Sequence, residues 1–256
     1  MENERIELVL LKKNNRVCFS DNLVELNDGT LCLAKDSTKK RLMPNYYIKT
    51  TPEDTEAFVA GFLIGDGALG RLDSERHLGM EVWIGAKDID VAKYFGVEST
   101  GKHYLVSNTE IARKFKLKAS QTFDRELPEV VPDDLMMGLY SANGCVIRSG
   151  KRVALKATSY KIVTQVVSWL QDNGMKPYIT TNKPTKIKFS NGEYTCRESY
   201  DVNIGGLDNL VKFASKVSFV HKYKQERLEE VIRASGTLVT SVKPSTHPAI
   251  SSVQPT

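Results

Sequence analysis

The sequence predicts an α+β fold of two pseudo-symmetric αββαββα repeats that share a two-helix interface. Each repeat carries an antiparallel sheet, and a small β-rich extension precedes the first. Three observations lead there. An apolar segment has a small residue at every fourth position and ends on a polar residue followed by glycine. A second copy lies about 77 residues further on. Helix-like and strand-like segments follow each copy in similar order.

Residues 1–50 stand outside the repeat. Ile6 to Leu11, Arg16 to Leu26 and Leu31 to Ala34 read as strands, with Asn27-Asp28-Gly29 as a hairpin turn. Lys39-Lys40-Arg41 is a basic cluster that fits either a solvated loop or a phosphate contact. Pro52 to Asp66 is the first helix. It is introduced by Thr51-Pro52-Glu53-Asp54, as the second copy is by Val131-Pro132-Asp133-Asp134. Proline and acids in the first turn are helix-start signals.

Ala57, Gly61 and Gly65 fall on one helical stripe, because i and i+4 share a face. Glycine inside a helix costs about 1 kcal/mol against alanine. Such a stripe therefore fits a second backbone packed very close, although one copy alone also fits an ordinary buried helix. The second copy, with Gly138 and Ala142 on its stripe, selects the helix pair. Asp66 and Asn143 end the two helices, before Gly67 and Gly144, which are suited to the C′ position. A carboxylate there faces the negative end of the macrodipole, which is unfavourable without a cation. Packed together, the helices bring Asp66 and Asn143 side by side.

In the first repeat, Gly79 to Ala86 alternates Met80, Val82 and Ile84 against Glu81 and Trp83, which is strand spacing. A short helix over Lys87 to Phe95, two strands within Val97 to Ser107 and a helix over Thr109 to Leu117 complete it. In the second repeat, Cys145 to Arg148 and Lys151 to Ala157 read as strands around Ser149-Gly150. Ser159 to Asn173 is an amphipathic helix closed by Gly174. Pro177 to Thr181, Thr185 to Phe189 and Tyr194 to Ile204 are strands, with Asn191-Gly192 as a turn. Helices follow over Leu207 to Ser218 and from Arg227, and the Ser-, Thr- and Pro-rich tail after Ser235 is expected to lack order.

Composition narrows the class. A net charge of +5 is compatible with a nucleic-acid partner without demanding one. No run approaches a membrane span, and the polar start Met1-Glu2-Asn3-Glu4-Arg5 is unlike a signal or transit peptide. The expected location is therefore intracellular, whether cytoplasmic, organellar or nucleoid-associated. Cys18, Cys32, Cys145 and Cys196 form no C-x-x-C and read as reduced thiols, with no zinc site. One face of the second repeat's strands is polar. Lys186, Lys188 and Ser190 share a face, as do Thr195, Arg197, Ser199, Asp201 and Asn203, while Ile187, Phe189, Val202 and Ile204 face inward on helices. Arg152, Lys156, Thr180 and Lys183 add to it. Such a face is either solvated or suited to phosphates and base edges.

The paired segments Val59 to Gly67 and Met136 to Gly144 resemble the motif of the LAGLIDADG homing endonucleases, in their single-chain, two-motif form. The resemblance covers roughly Pro52 to Ser235. It implies repeats over 51–128 and 129–235, a saddle of two sheets on a long asymmetric double-stranded DNA target, and a monomer. It implies metal ligation by Asp66, Asn143 and the flanking Gly65 and Ala142, with Mg2+ or Mn2+ supporting hydrolysis and Ca2+ binding without it. Glu81, Trp83, Lys102 and Arg148 join the DNA-contact set by the same resemblance. A basic residue is implied beside each metal site. Arg125 fills that place in the first repeat, with Lys118 as the fallback; Lys222, then Lys224, fills it in the second.

Asn143 departs from the family pattern, since an amide brings no negative charge to a metal. Cleavage of both strands is therefore expected to be lost or reduced while DNA binding persists. An RNA maturase or a non-catalytic nucleic-acid-binding protein of the same fold is the alternative. Cys18 to Leu23 with Asn27-Asp28-Gly29 faintly resembles an intein segment, but the residues for splicing are missing.

Overall fold

The computed structural model describes residues 8–11, 16–19, 23–25, 31–33, 46–71, 78–97, 100–106, 109–189 and 192–236. The Asn27-Asp28-Gly29 turn, Lys39-Lys40-Arg41, Ser190 and the tail after Gly236 lie outside them. In the N-terminal extension, β1 (Leu8–Leu11) pairs with β2 (Arg16–Phe19), and β3 (Leu23–Glu25) with β4 (Leu31–Leu33). The single strand expected over Arg16 to Leu26 is thus two.

The centre of the molecule is the pair α1 (Thr55–Asp66) and α4 (Asp133–Asn143). Both helices are buried along almost their whole length. Their glycines explain the seam. A Cβ on Gly61 would lie 1.8 Å from the Leu135 carbonyl oxygen, and one on Gly138 would lie 2.0 Å from that of Phe58. The helices start differently from expectation. Asp54 caps α1 by accepting from the Ala57 N–H, with Pro52 outside the helix, while Pro132 itself occupies the N-cap position of α4. Asp134 crosses the seam to accept from the Glu53 and Asp54 N–H groups and pairs with Lys49 at 2.8 Å. At the other end, Gly67 and Gly144 are extended rather than left-handed. Close packing selects glycine there: an added Cβ would stand 2.7 Å from Leu63 O at Gly67 and 2.4 Å from Tyr140 O at Gly144.

In the first repeat, β5 (Ala68–Arg71), β6 (Leu78–Ile84) and β7 (Lys102–Leu105) form an antiparallel sheet in that order. Between the last two, a 3-10 turn (Ala86–Asp88), α2 (Ile89–Ala92) and a second 3-10 turn (Lys93–Phe95) replace the expected continuous helix. One strand stands where two were expected over Val97 to Ser107 among the described residues. The repeat ends with α3 (Thr109–Lys114).

The second repeat is larger. Its sheet has the order β10 (Tyr178–Asn182), β13 (Ser199–Gly205), β9 (Arg152–Ala157), β8 (Gly144–Ile147), all antiparallel. Helix α5 (Tyr160–Asp172) is capped by the Ser159 hydroxyl, and the left-handed Gly174 follows it. Strands β11 (Thr185–Phe189) and β12 (Gly192–Cys196) pair only with each other among the described residues. They continue β10 and β13 in the same register, since Asn182 pairs with Ser199 and Thr185 with Cys196. Pro184 has no N–H to give the ladder, which accounts for the interruption. The expectation that this part rests on helices fails for β12, whose residues are all exposed. Helices α6 (Leu207–Lys216) and α7 (Lys222–Gly236) close the fold. Helix α7 begins at Lys222, five residues before the expected start. Among the described residues, no helix is long and apolar enough to cross a membrane.

Candidate functional site

The C-terminal tips of α1 and α4 meet. Asn143 donates from Nδ2 to the Gly65 carbonyl at 3.1 Å. Arg125 donates to the same carbonyl at 3.2 Å and to Ile64 O at 2.7 Å. A carbonyl oxygen has two lone pairs, so Gly65 O is saturated. The Asp66 carboxylate accepts no hydrogen bond among the described residues. Its side chain is reachable from solvent, yet the surrounding protein strips enough water to push its pKa above the usual carboxylate range, against the pull of Lys87, Arg125 and Lys224.

The basic residues occupy related places. Arg125 is buried, 4% exposed, with its guanidinium on the last carbonyls of α1, including Gly67 O. Lys224 is buried in the first turn of α7, 8% exposed, and donates to Ser141 O at 2.7 Å. Ile64 and Ser141 hold equivalent positions in the two motif helices, so each helix end is capped by one cation. Burial pulls Lys224 down to about 8, against the pull of Asp88 and Asp66. Lys222, favoured from sequence, is exposed, and its N–H is held by Asp90 at 2.9 Å. Lys118 is exposed and paired with Glu126. Lys224 is therefore the lysine seated at the helix tips.

The polar face of the second sheet takes shape in rows. Thr180, Asp201 and Lys156 lie side by side across three strands, opposite the buried Val202 and Ile204 face. Asn203 and Ser199 are 1% and 5% exposed rather than open. The Asn203 amide accepts from Arg152 Nε at 2.9 Å and donates to Thr180 Oγ1 at 3.1 Å, so it orients two neighbours. Asp201 accepts from Asn182 at 3.0 Å. Lys186, Lys188, Thr195 and Arg197 are exposed along the β11–β12 ribbon, with Lys186 paired to Glu193 and Arg197 lying 4.1 Å over the Phe123 ring. Lys183 is exposed at the break before the ribbon. Arg148 is turned to α7, where it pairs with Glu230 at 2.8 Å.

On the first sheet, Glu81 and Trp83 are exposed on the face away from Met80, Val82 and Ile84. Lys102 pairs with Ile84, so strand alternation puts it on the opposite face; His103 and Leu105 share the face of Trp83 and Glu81. His103 packs against Trp83 with ring centroids 4.8 Å apart. Three further residues escaped the sequence reading. Lys87 is the charge acting most strongly on Asp66, and Asp88 and His221 form a buried pair at 3.0 Å beside it. Only the short polar interval Lys87-Asp88 after a strand hinted at them.

Among the described residues, no group of three or more His, Cys, Asp and Glu side chains could hold a metal ion alone. A cation at these tips would have to draw on phosphate oxygens and waters as well, which is how magnesium is usually held. The Asp66 tip fits such an ion, because its solvent-reachable carboxylate accepts no hydrogen bond among the described residues. The Asn143 tip does not fit, because its carbonyl is saturated and its amide points a donor at it.

Residues 134–218 match the family model described as LAGLIDADG-like domain. Over 101 residues, 39% of this chain, the sequence is 28% identical to the ATP-dependent DNA helicase Hel308 of Methanocaldococcus jannaschii; the match spans 8% of that protein's length. Solved mesophilic variants of the homing endonuclease I-DmoI align with a TM-score of 0.42 at 16% identity, over 64% of this chain and 95% of theirs. The homing endonuclease I-WcaI, bound to its DNA recognition sequence, gives 0.42 at 11% identity over 69% and 88%. Full-length WhiA from Thermatoga maritima gives 0.40 at 12% over 72% and 62%.

Proposed function

We propose that this chain, whose residues 134–218 match the LAGLIDADG-like domain family, binds a long asymmetric double-stranded DNA target and hydrolyses a phosphodiester bond in one of its strands. The observation that carries the reading is the inequality of the two tips. Asp66 offers a carboxylate that accepts no hydrogen bond among the described residues, while Asn143 closes its own tip by donating to Gly65 O. Asp66, with the Ala142 carbonyl across the seam, would hold a divalent cation against a phosphate. When bound, the cation supplies a nucleophilic water and stabilises the leaving oxygen.

The protein's own groups do the rest. The polar rows of the second sheet and the face of Trp83 and Glu81 set the register of the duplex. Arg125 stays charged at all working pH and braces the helix end without exchanging a proton. Lys224 exchanges one readily near neutral pH, because burial brings it to about 8. In this reading it would give a proton to the leaving oxygen or neutralise it.

Selection of bound duplexes from a random library, then incubation of the winner in supercoiled plasmid with Mg2+, tests the reading. Open-circular plasmid without linear product is expected. Enrichment of structured RNA over every duplex, or linear product at the rate of the nick, would overturn it.

A further inference from the structure

Each basic residue at the helix tips is gripped by the opposite repeat. Arg125 braces α1, and its own carbonyl accepts from the Ser159 hydroxyl at the start of α5 in the second repeat. Lys224 braces α4, and the segment that carries it is held from the first repeat. Asp88, in the 3-10 turn after β6, takes the His221 Nε2 hydrogen bond at 3.0 Å, while Asp90 accepts from the Lys222 N–H at 2.9 Å. Asp88 is 5% and His221 0% exposed. The His221 carbonyl accepts from both the Lys224 and Gln225 N–H groups at 3.0 Å, so it forms the base on which the first turn of α7 is built. Moving His221 therefore moves Lys224.

A buried polar pair is a poor adhesive, since apolar residues of similar shape often hold as well. What it fixes is direction. The carboxylate of Asp88 also accepts from Gly85 N–H, which ties it to its own turn. The charged and titratable groups around Lys224 are Asp88, Lys87, Cys145 and Asp66, with His221 one turn behind it.

We propose that Asp88 and His221 are positioning residues that seat Lys224 at the tip of α4, so that the first repeat controls the basic group of the second. The proposal concerns the seat, and its catalytic meaning rests on the function proposed above.

The test follows the Lys224 side chain in the full-length chain, with labelled lysines and NMR detection of Cε through a pH titration, assigned with Lys224→Arg. His221→Ala breaks the clasp and leaves the Asp88 charge in place. The Lys224 midpoint should then rise by about one unit or more, toward that of a solvated lysine. Asp88→Ala breaks it from the other side without touching α7 but also removes a negative charge that holds Lys224 up, so its midpoint should rise less than in His221→Ala. His221→Gln, which can still donate to Asp88, should restore the parent value. A midpoint that does not rise in His221→Ala would overturn the proposal. Nicking at saturating duplex separates this from the functional reading. In His221→Ala it should fall about 10- to 100-fold, as for other outer-shell partners, with duplex affinity in Ca2+ retained. A moved midpoint with full nicking leaves the seat established and removes Lys224 from the chemistry.

Discussion

The two repeats share a seam and differ at nearly everything built on it. Helix α1 ends on a carboxylate that accepts no hydrogen bond among the described residues, α4 on an amide bonded across the seam to Gly65 O. Arg125 caps one helix and Lys224 the other. Among the described residues, one sheet has three strands, the other four and a ribbon beyond it. Duplicated scaffolds can thus keep their packing while chemistry and reach diverge. The seam tolerates no change, because backbone meets backbone there, whereas the tips and sheet faces meet only solvent or a partner.

Asp66→Ala should produce the largest effect. Plasmid nicking should drop about 100-fold or more, with duplex affinity in Ca2+ no weaker. Equal nicking by this variant would dissolve the contrast between the tips. Next comes the seam itself. Gly138→Ala puts a methyl 2.0 Å from Phe58 O and should cost about 3 kcal/mol in urea unfolding. Gly70→Ala, with nothing within 4 Å of the new methyl, should stay within about 0.5 kcal/mol.

Asn143→Asp should make the tips alike. A carboxylate beside Gly65 O has no proton to donate, so the variant should melt lower than the parent without metal and gain more from added Mg2+. It should bind the cation about 10- to 100-fold more tightly and convert nicked to linear plasmid. Lys224 gives a smaller, pH-dependent signature. Its pKa in the fold is about 8 against 10.5 in the unfolded chain, so between those values the unfolded chain holds a proton that the fold lacks. Stability should rise with pH through that window relative to Lys224→Met, by at most about 1.4 kcal/mol per unit. Smallest is the ribbon. Lys186→Ala and Lys188→Ala should each lower the salt dependence of duplex binding by about one counterion, without changing which duplex is preferred.

What could be read from sequence follows the range of the interactions. The stripes Gly61, Gly65 and Gly138, Ala142 announced the α1–α4 seam, because helical spacing is local and glycine in a helix needs a reason. The alternation around Trp83 announced β6 for the same reason. Arg125 could not be read as a helix cap, since its acceptors lie about 60 residues earlier in the chain. Asp88 and His221 are 133 residues apart, and neither sits in a motif. The face on which Lys102 lies could not be read, because a four-residue strand after a turn gives alternation too little length to fix its phase. The ribbon was taken for packed sheet because alternation reports which residues share a side, not whether anything lies beneath them.

That ribbon has a consequence for the free protein. Its strands run about 16 Å, or about five base-pair steps, and pair only with each other among the described residues. Among the described residues, no further strand pairs with either outer edge. Lys186 and Lys188, the cations that would meet phosphate, are the kind of residue that blunts such edges. Neutralising them should loosen the grip on DNA and, at high protein concentration, favour stacking of the chain on itself.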